Sequence, residues 1–228
     1  MSELEAYRNL RLAATQSASD NMSRPSRSVE VDSALAADLV AALPSRRSVK
    51  YYLPEPISVD WLGGIQPTLQ SIDQQLSGGR AALRFICAFS NIEGRTPGLY
   101  ELGTDGWAQM SVPLESSDLR TMTLQPEFGD AALIVVLVGS LVDAVEHEGP
   151  NGHRQLLQRA GAIAEVVWLA AVSEGYAASI FAGFLPAELK SRLGFDGIDS
   201  LQLIAIAIGM EDAERLARAE REAMGALG

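Results

Sequence analysis

The sequence predicts an α+β fold on the strength of three observations. Three short runs rich in β-branched or aromatic residues, ALRFICAF (82–89), ALIVVLVG (132–139) and LQLIAIAIG (201–209), are bounded by turn or polar residues, as buried strands are. Between the second and third, HRQLLQRAGAIAEVVWLAAVSEGY (153–176) carries Leu156, Leu157, Ala160, Ile163, Ala164, Val167, Trp168 and Ala171. That spacing predicts about six turns of one helix, with Gly175 as the residue that ends it. Further helix-period stretches precede and follow the strands, and 47% hydrophobic content in 228 residues is enough for one large core.

Along the chain, residues 1–32 read as an N-terminal arm and 33–228 as a single domain. The arm holds a short helical candidate around AYRNLRL. After it, TQSASDNMSRPSRS (15–28) is rich in Ser, Asn, Asp and Pro without apolar periodicity, the pattern of a loop. From Ser33, a plausible N-cap, SALAADLVAAL spaces Leu35, Leu39 and Leu43 by four residues, and Pro44 should end that helix. From Ile57, helical spacing at Trp61, Ile65, Leu69, Ile72 and Leu76 is interrupted by Gly63-Gly64 and Pro67, which predicts a bent or split helix. The apolar content of the 153–175 helix is too broad for one wet face, so burial against both the sheet and a partner subunit is expected. After Gly209 the chain becomes charged and Ala-rich, a helix suited to lying over another surface, and no internal repeat is visible.

A net charge of −11 repels phosphate backbones and anionic lipid, and no basic patch offsets it, so neither nucleic acid nor a membrane surface is an expected partner. Arg46 and Arg47 form the single tight basic pair, a size that suits one phosphate. Cys87 is the one cysteine and lies within LRFICAF. An internal disulfide and a cysteine metal cluster are excluded, no metal is expected, and the thiol should be buried and inert. MSELEAYRNL lacks a positive-then-apolar signal pattern, and no apolar run reaches membrane-spanning length, so a cytoplasmic location is expected.

The sharpest local motif is PSRRSVKYY (44–52). Two guanidiniums and a hydroxyl after a proline-ended helix supply the fork-shaped donors that the dianionic phosphate of flavin mononucleotide (FMN) prefers, although the tripeptide alone is weak and reads more readily as a solvated basic turn. RRSVKYYLPEPIS is followed in order by SGGRAALRFICAF, GRTPGLYEL, the long helix after HRQLLQRAG, GYAASIFAGFLPAELKSRLGF and a closing IAIAIG. This order resembles the SagB/McbC-type branch of the nitroreductase-like flavoprotein superfamily. The resemblance implies a central, mostly antiparallel sheet flanked by helices, an intertwined homodimer and FMN as cofactor.

Carried over by position, Arg46, Arg47 and Ser48 match the opening Arg-x-Ser that holds the cofactor phosphate and ribityl chain. Ser77, Gly78 and Gly79 resemble a Ser-Ala-Gly turn that approaches the flavin ring, where glycine permits close backbone contact. Ala182, Gly183 and Phe184 match a Gly-Gly-Phe whose backbone amides face the reactive edge of the ring, and alanine at the first position keeps the donor. Pro97-Gly98-Leu99-Tyr100 matches a hairpin of this branch, in which Tyr100 should pack its ring and expose its hydroxyl.

One departure stands out. In azoline dehydrogenases of this branch, a Lys-Tyr pair before the long helix supplies the base. Here the two lysines are Lys50 and Lys190, and LVDAVEHEGPNGHRQLLQRAG contains neither. Counting back from Gly161 puts His147 and Glu148 at the Lys-Tyr positions, with His153 on the next turn; a near-neutral histidine can act as a base, or the segment is a polar surface loop. The implied function is oxidation of thiazoline or oxazoline rings in a ribosomally made peptide, with a peptide substrate and a cyclodehydratase as company. The alternative is a catalytically degenerate subunit that pairs with a homologous flavoprotein or scaffolds the complex.

Overall fold

The computed structural model describes residues 33–78, 82–110, 116–188 and 192–225; the expected arm over 1–32 and Gly79 lie outside them. In chain order the elements are α1 (Ser33–Ala42), α2 (Asp60–Ser77), β1 (Arg84–Phe89), β2 (Gly98–Gly103), β3 (Gly106–Gln109), α3 (Ser116–Met122), β4 (Leu133–Gly139), α4 (Leu141–Glu148), α5 (Gly152–Ser173), β5 (Ala177–Phe181), β6 (Leu201–Gly209) and α6 (Ala213–Gly225). The strands form one sheet in the order β3-β2-β1-β4-β6-β5, and every neighbouring pair is antiparallel.

The three strands predicted from the sequence, β1, β4 and β6, are the three central neighbours. They are covered on both faces, and so they read as continuous apolar runs. Side chains alternate: Phe85, Cys87, Phe89, Val135 and Leu137 face the layer built by α2 and α5, while Ile86, Ala88, Ile134 and Val136 face Leu119, Met122 and Phe128. In β6 the register slips opposite Leu137/Val138, so Leu203 shares the helical face with Ile206 and Ile208 while Ala205 and Ala207 point the other way. The outer strands β2, β3 and β5 are short and only partly apolar, which is why periodicity alone does not reveal them.

α1 ends at Ala42 and passes into a 3-10 turn, Leu43–Ser45, that contains Pro44, so the helix stops at the proline as expected. The expectation of a split second helix needs correction. α2 is one unbroken element with Pro67 inside it, beginning at Asp60 because Ile57 is taken up in a bridge to Ile92. A mid-helix proline costs about 3 kcal/mol, whereas full burial of each large aliphatic side chain contributes about 1.5–3 kcal/mol. α2 buries Leu62, Ile65 and Leu69 along one face, so packing outweighs the interruption.

α5 matches its prediction, with Gly175 at φ +85° closing it through a bond to Val172 O. Its start is set by Gly152, where a Cβ would lie 2.3 Å from Ala144 O, so α4 and α5 meet backbone to backbone. The sheet, α1 and α2 cover much of α5 within the single chain. By length and composition the helical run Leu141–Ser173 is long and apolar enough to cross a membrane, which corrects the expectation that no stretch reaches that length; 56% of its most apolar window is nevertheless buried inside the chain. Such burial is typical of a core helix.

Among the described residues, the core contains one buried ion pair. Arg159 of α5 meets Asp73 of α2 through Nε–Oδ1 at 2.8 Å and Nη2–Oδ2 at 3.0 Å, and the Leu83 amide donates to Asp73 Oδ2 at 2.8 Å. Both side chains are buried, so the fork satisfies charges that water does not reach. Cys87 is also fully buried, and desolvation pushes its thiol pKa up, consistent with an inert thiol. Tyr100 stacks on Phe89 at 4.3 Å as expected, but its hydroxyl is bonded internally, 2.9 Å from Thr96 Oγ1 and 3.0 Å from Thr96 O.

Removing one partner of a buried pair leaves an uncompensated charge. Asp73→Ala and Arg159→Ala should each lower unfolding free energy by about 3–5 kcal/mol in denaturant titrations, and the double variant should lose much less than the sum.

Candidate functional site

The stretch from Arg46 to Leu53 forms a strap across one end of the sheet. Ser48 bridges Ala178 of β5 in parallel fashion. The next residue is held twice by Ser179: the Val49 amide donates to Ser179 Oγ at 2.7 Å, and Ser179 Oγ donates to Val49 O at 2.6 Å. Tyr52 is buried, with its hydroxyl 2.8 Å from Val49 O and 3.2 Å from Ala207 O; burial raises its phenol pKa. The ring packs over Gly209, where a Cβ would come within 3.0 Å of it. Beyond it, the Leu53 amide donates to Met210 O at 2.8 Å and the Asp212 amide to Tyr51 O at 3.0 Å. α6 docks on the same strap, with Arg215 over the Tyr51 ring and 3.0 Å from Asp130.

Arg46, Arg47 and Ser48 are exposed on this strap. The Arg46 guanidinium lies over the Trp168 ring of α5, 4.4 Å from its centroid, with Nε 3.5 Å from Glu165. Arg47 Nη2 contacts both oxygens of Glu211, at 2.6 and 2.5 Å. The indole Nε1 of Trp168 is buried and has no hydrogen-bond partner. Two accessible guanidiniums and a hydroxyl fit a phosphate monoester such as that of FMN. Arg46 and Arg47 would hold the phosphate and Ser48 would support it.

At the other end of β5 lies the turn Ala182-Gly183-Phe184. Phe184 is buried and stacks on Phe181 at 5.3 Å, which stacks on Phe128 at 4.5 Å. The Leu124 amide donates to Gly183 O at 2.6 Å and the Leu185 amide to Met122 O at 2.9 Å, so the segment after α3 fixes the turn. The Phe184 amide donates to Ala182 O at 3.1 Å. Of the three amides assigned to a flavin edge, those of Ala182 and Gly183 are therefore the candidates.

The remaining sequence-predicted residues gather elsewhere. Ser77 is buried in the last turn of α2, where its hydroxyl donates to Gln74 O at 3.2 Å, and Gly78 at φ +68° ends the helix; Gly79 lies outside the described residues. Ser77 and Glu148 line one narrow cleft with Asp143, Gln155 and Arg159, so a residue matched to the cofactor and one matched to the base come together there. The segment around them is two helices joined by a 3-10 turn at Gly149–Asn151, not a loop. His147 is exposed on α4, with Nδ1 2.7 Å from Asp143 O and 3.3 Å from Asp143 Oδ1, which orients the ring. His153 is exposed in the first turn of α5. At 1.5 Å per residue, the fifteen steps from His153 to Trp168 span about 22 Å, so within one chain these histidines and the strap arginines occupy opposite ends of α5.

Glu165, Trp168, Ser179 and Glu211 were not legible as site residues. The single local hint is Ser179, a polar residue inside the apolar strand ASIF.

The Nitroreductase family model matches residues 43–210, and this chain belongs to the nitroreductase family. No curated protein matches it. Among solved structures it is similar to a putative nitroreductase from Anabaena variabilis, with 20% identity and a TM-score of 0.65 over 77% of this chain, which spans 38% of that protein's length. It is also similar to a putative nitroreductase in complex with FMN from Desulfovibrio desulfuricans, with 18% identity, a TM-score of 0.54, and 76% and 86% of the two chains covered. A third similarity is to the E. coli microcin synthetase McbBCD complex with truncated pro-MccB17 bound, with 13% identity, a TM-score of 0.56, and 82% and 76% covered. At these identities the likeness establishes the shared fold.

Ser179→Ala removes both hydroxyl contacts to Val49. It should cost about 1–3 kcal/mol and, in hydrogen-exchange measurements, selectively release the Val49 amide while β1 and β4 stay protected.

Proposed function

We propose that this chain is an FMN-dependent oxidoreductase that oxidises thiazoline or oxazoline rings in a ribosomally synthesised peptide. One observation carries the reading: Ser48 and Val49 dock on Ala178 and Ser179, so the arginine strap lies at the start of β5 and the Ala182–Phe184 turn at its end. The four residue steps from Ala178 to Ala182 span about 13 Å of extended chain, a separation that a ribityl chain and the near edge of a flavin can bridge. The Desulfovibrio structure with FMN supports the cofactor. The microcin synthetase complex supports a peptide as substrate and accessory proteins, such as a cyclodehydratase, as partners. FMN bound here would accept the hydride. The chain's own part is to hold the phosphate with Arg46, Arg47 and Ser48, to present the Ala182 and Gly183 amides to the ring, and to take the proton on a basic side chain.

The base is assigned to His147, Glu148 or His153. Because His153 lies about 22 Å along α5 from Trp168 at the arginine end, and His147 and Glu148 sit on α4, which precedes the start of α5, these residues serve a flavin held there only from a second copy of the chain, and the proposal therefore includes a homodimer whose sites draw on both subunits. A second reading, a catalytically retired subunit that pairs with an active homologue, is favoured by the lack of a lysine in the 141–161 segment and by the exposure of His147 on the surface of α4.

Purified protein should be yellow with a flavin spectrum; protein that stays colourless in excess FMN supports the retired subunit. Arg46→Ala should weaken FMN binding by about 1.5–3 kcal/mol, read by fluorescence titration, while Arg218→Ala, on an exposed part of α6, should change it little.

His147→Ala should lower turnover of an azoline peptide by at least about 100-fold while leaving the flavin spectrum intact. Unchanged turnover would remove His147 from the mechanism.

A further inference from the structure

Each strap arginine is matched by a carboxylate, but in different ways. Glu165 approaches Arg46 at Nε, 3.5 Å away, while the guanidinium lies flat on Trp168; this buttresses the group from one side. Glu211 instead clasps Arg47 at the terminal Nη2 with both oxygens, at 2.6 and 2.5 Å. Nη2 is a nitrogen that a phosphate would also use. With Arg46 and Arg47 set against Glu165 and Glu211, each guanidinium already faces a carboxylate, and a dianion placed on Arg47 meets a group of like charge.

The Glu211 carboxylate is not what holds the strap. The Ser48–Ala178 and Tyr52–Glu211 backbone bridges, the Val49–Ser179 pair, the buried Tyr52 ring and the Leu53–Met210 bond hold it through other groups. Glu211 is 22% exposed and Arg47 56%, so the pair reaches solvent, where it can open.

We propose that Glu211 is a built-in placeholder: its carboxylate occupies the phosphate position on Arg47, must turn away when a phosphate monoester binds, and thereby sets the affinity of the site. Arg46 is then the standing phosphate ligand and Arg47 the gated one. The inference rests on the arginine strap being the phosphate end of an FMN site.

The test compares wild type with Glu211→Gln, which keeps the side-chain shape, and Glu211→Ala, which removes it. FMN and riboflavin are titrated by flavin fluorescence, and inorganic phosphate by thermal shift. Both variants should bind FMN about two- to fivefold more tightly than wild type and leave riboflavin, which has no phosphate, unchanged. Phosphate should raise their melting temperature more than that of wild type, and adding Arg47→Ala should cancel the gain. Unchanged or weaker FMN binding, or equal tightening toward riboflavin, overturns the placeholder. If no form binds FMN yet the variants gain an Arg47-dependent response to phosphate, the placeholder stands and the FMN reading falls. If no form responds to FMN or to phosphate, the placeholder falls as well.

Discussion

The arrangement of this molecule depends on how α5 is held against the sheet, and the Asp73–Arg159 pair is the polar lock in that contact. Both charges are buried and joined by two parallel bonds, with the Leu83 amide taking a share of Asp73. A buried pair of this kind adds little net stability over an apolar substitute, yet it tolerates few alternative registers, because any slip strands a charge. It therefore sets α5 relative to α2 and the entry to β1. A helix of 22 residues fixed near its first third carries that registration to its far end. There Trp168 lies under Arg46.

The strap is organised by contacts that differ in kind from those of the core. Its path is set by a serine hydroxyl, a buried phenol and backbone bonds to the ends of β5 and β6, all directional groups. Directional contacts leave the arginine side chains outside the packed interior while fixing the backbone that carries them. The surrounding acidity is consistent with the chain's net charge of −11: each exposed guanidinium of the strap has drawn in a carboxylate. Affinity for an anion at such a place is a difference between two charged partners, not the sum of attractions to the arginines.

α5 also separates the candidate chemistry into two places. The arginines lie toward its C-terminal half; His147, Glu148, His153 and Ser77 lie around its N-terminus, where Gly152 lets α4 approach closely. A rigid helix does not shorten that distance within one chain. The proposed homodimer removes the difficulty, because antiparallel placement of two such helices brings the start of one beside the end of the other.

The sequence by itself determined the parts of this protein whose cause is local. β1, β4 and β6 are legible because strands covered on both faces are apolar without alternation, and α5 is legible because its 3.6-residue period runs for six turns into a glycine that takes φ +85°. Arg46, Arg47 and Ser48 stand out as a motif because three donors are adjacent in the chain. Tertiary structure decided the rest. It kept α2 continuous through Pro67, because burial of Leu62, Ile65 and Leu69 exceeds the local cost. It made β5 a strand through pairing with β6. It matched Val49 with Ser179 and Arg47 with Glu211, partners 130 and 164 residues apart whose meeting no local pattern encodes. It also set the histidine segment at the opposite end of α5 from the arginines, because positions in a sequence are ordered along a line and a site is assembled by packing in three dimensions.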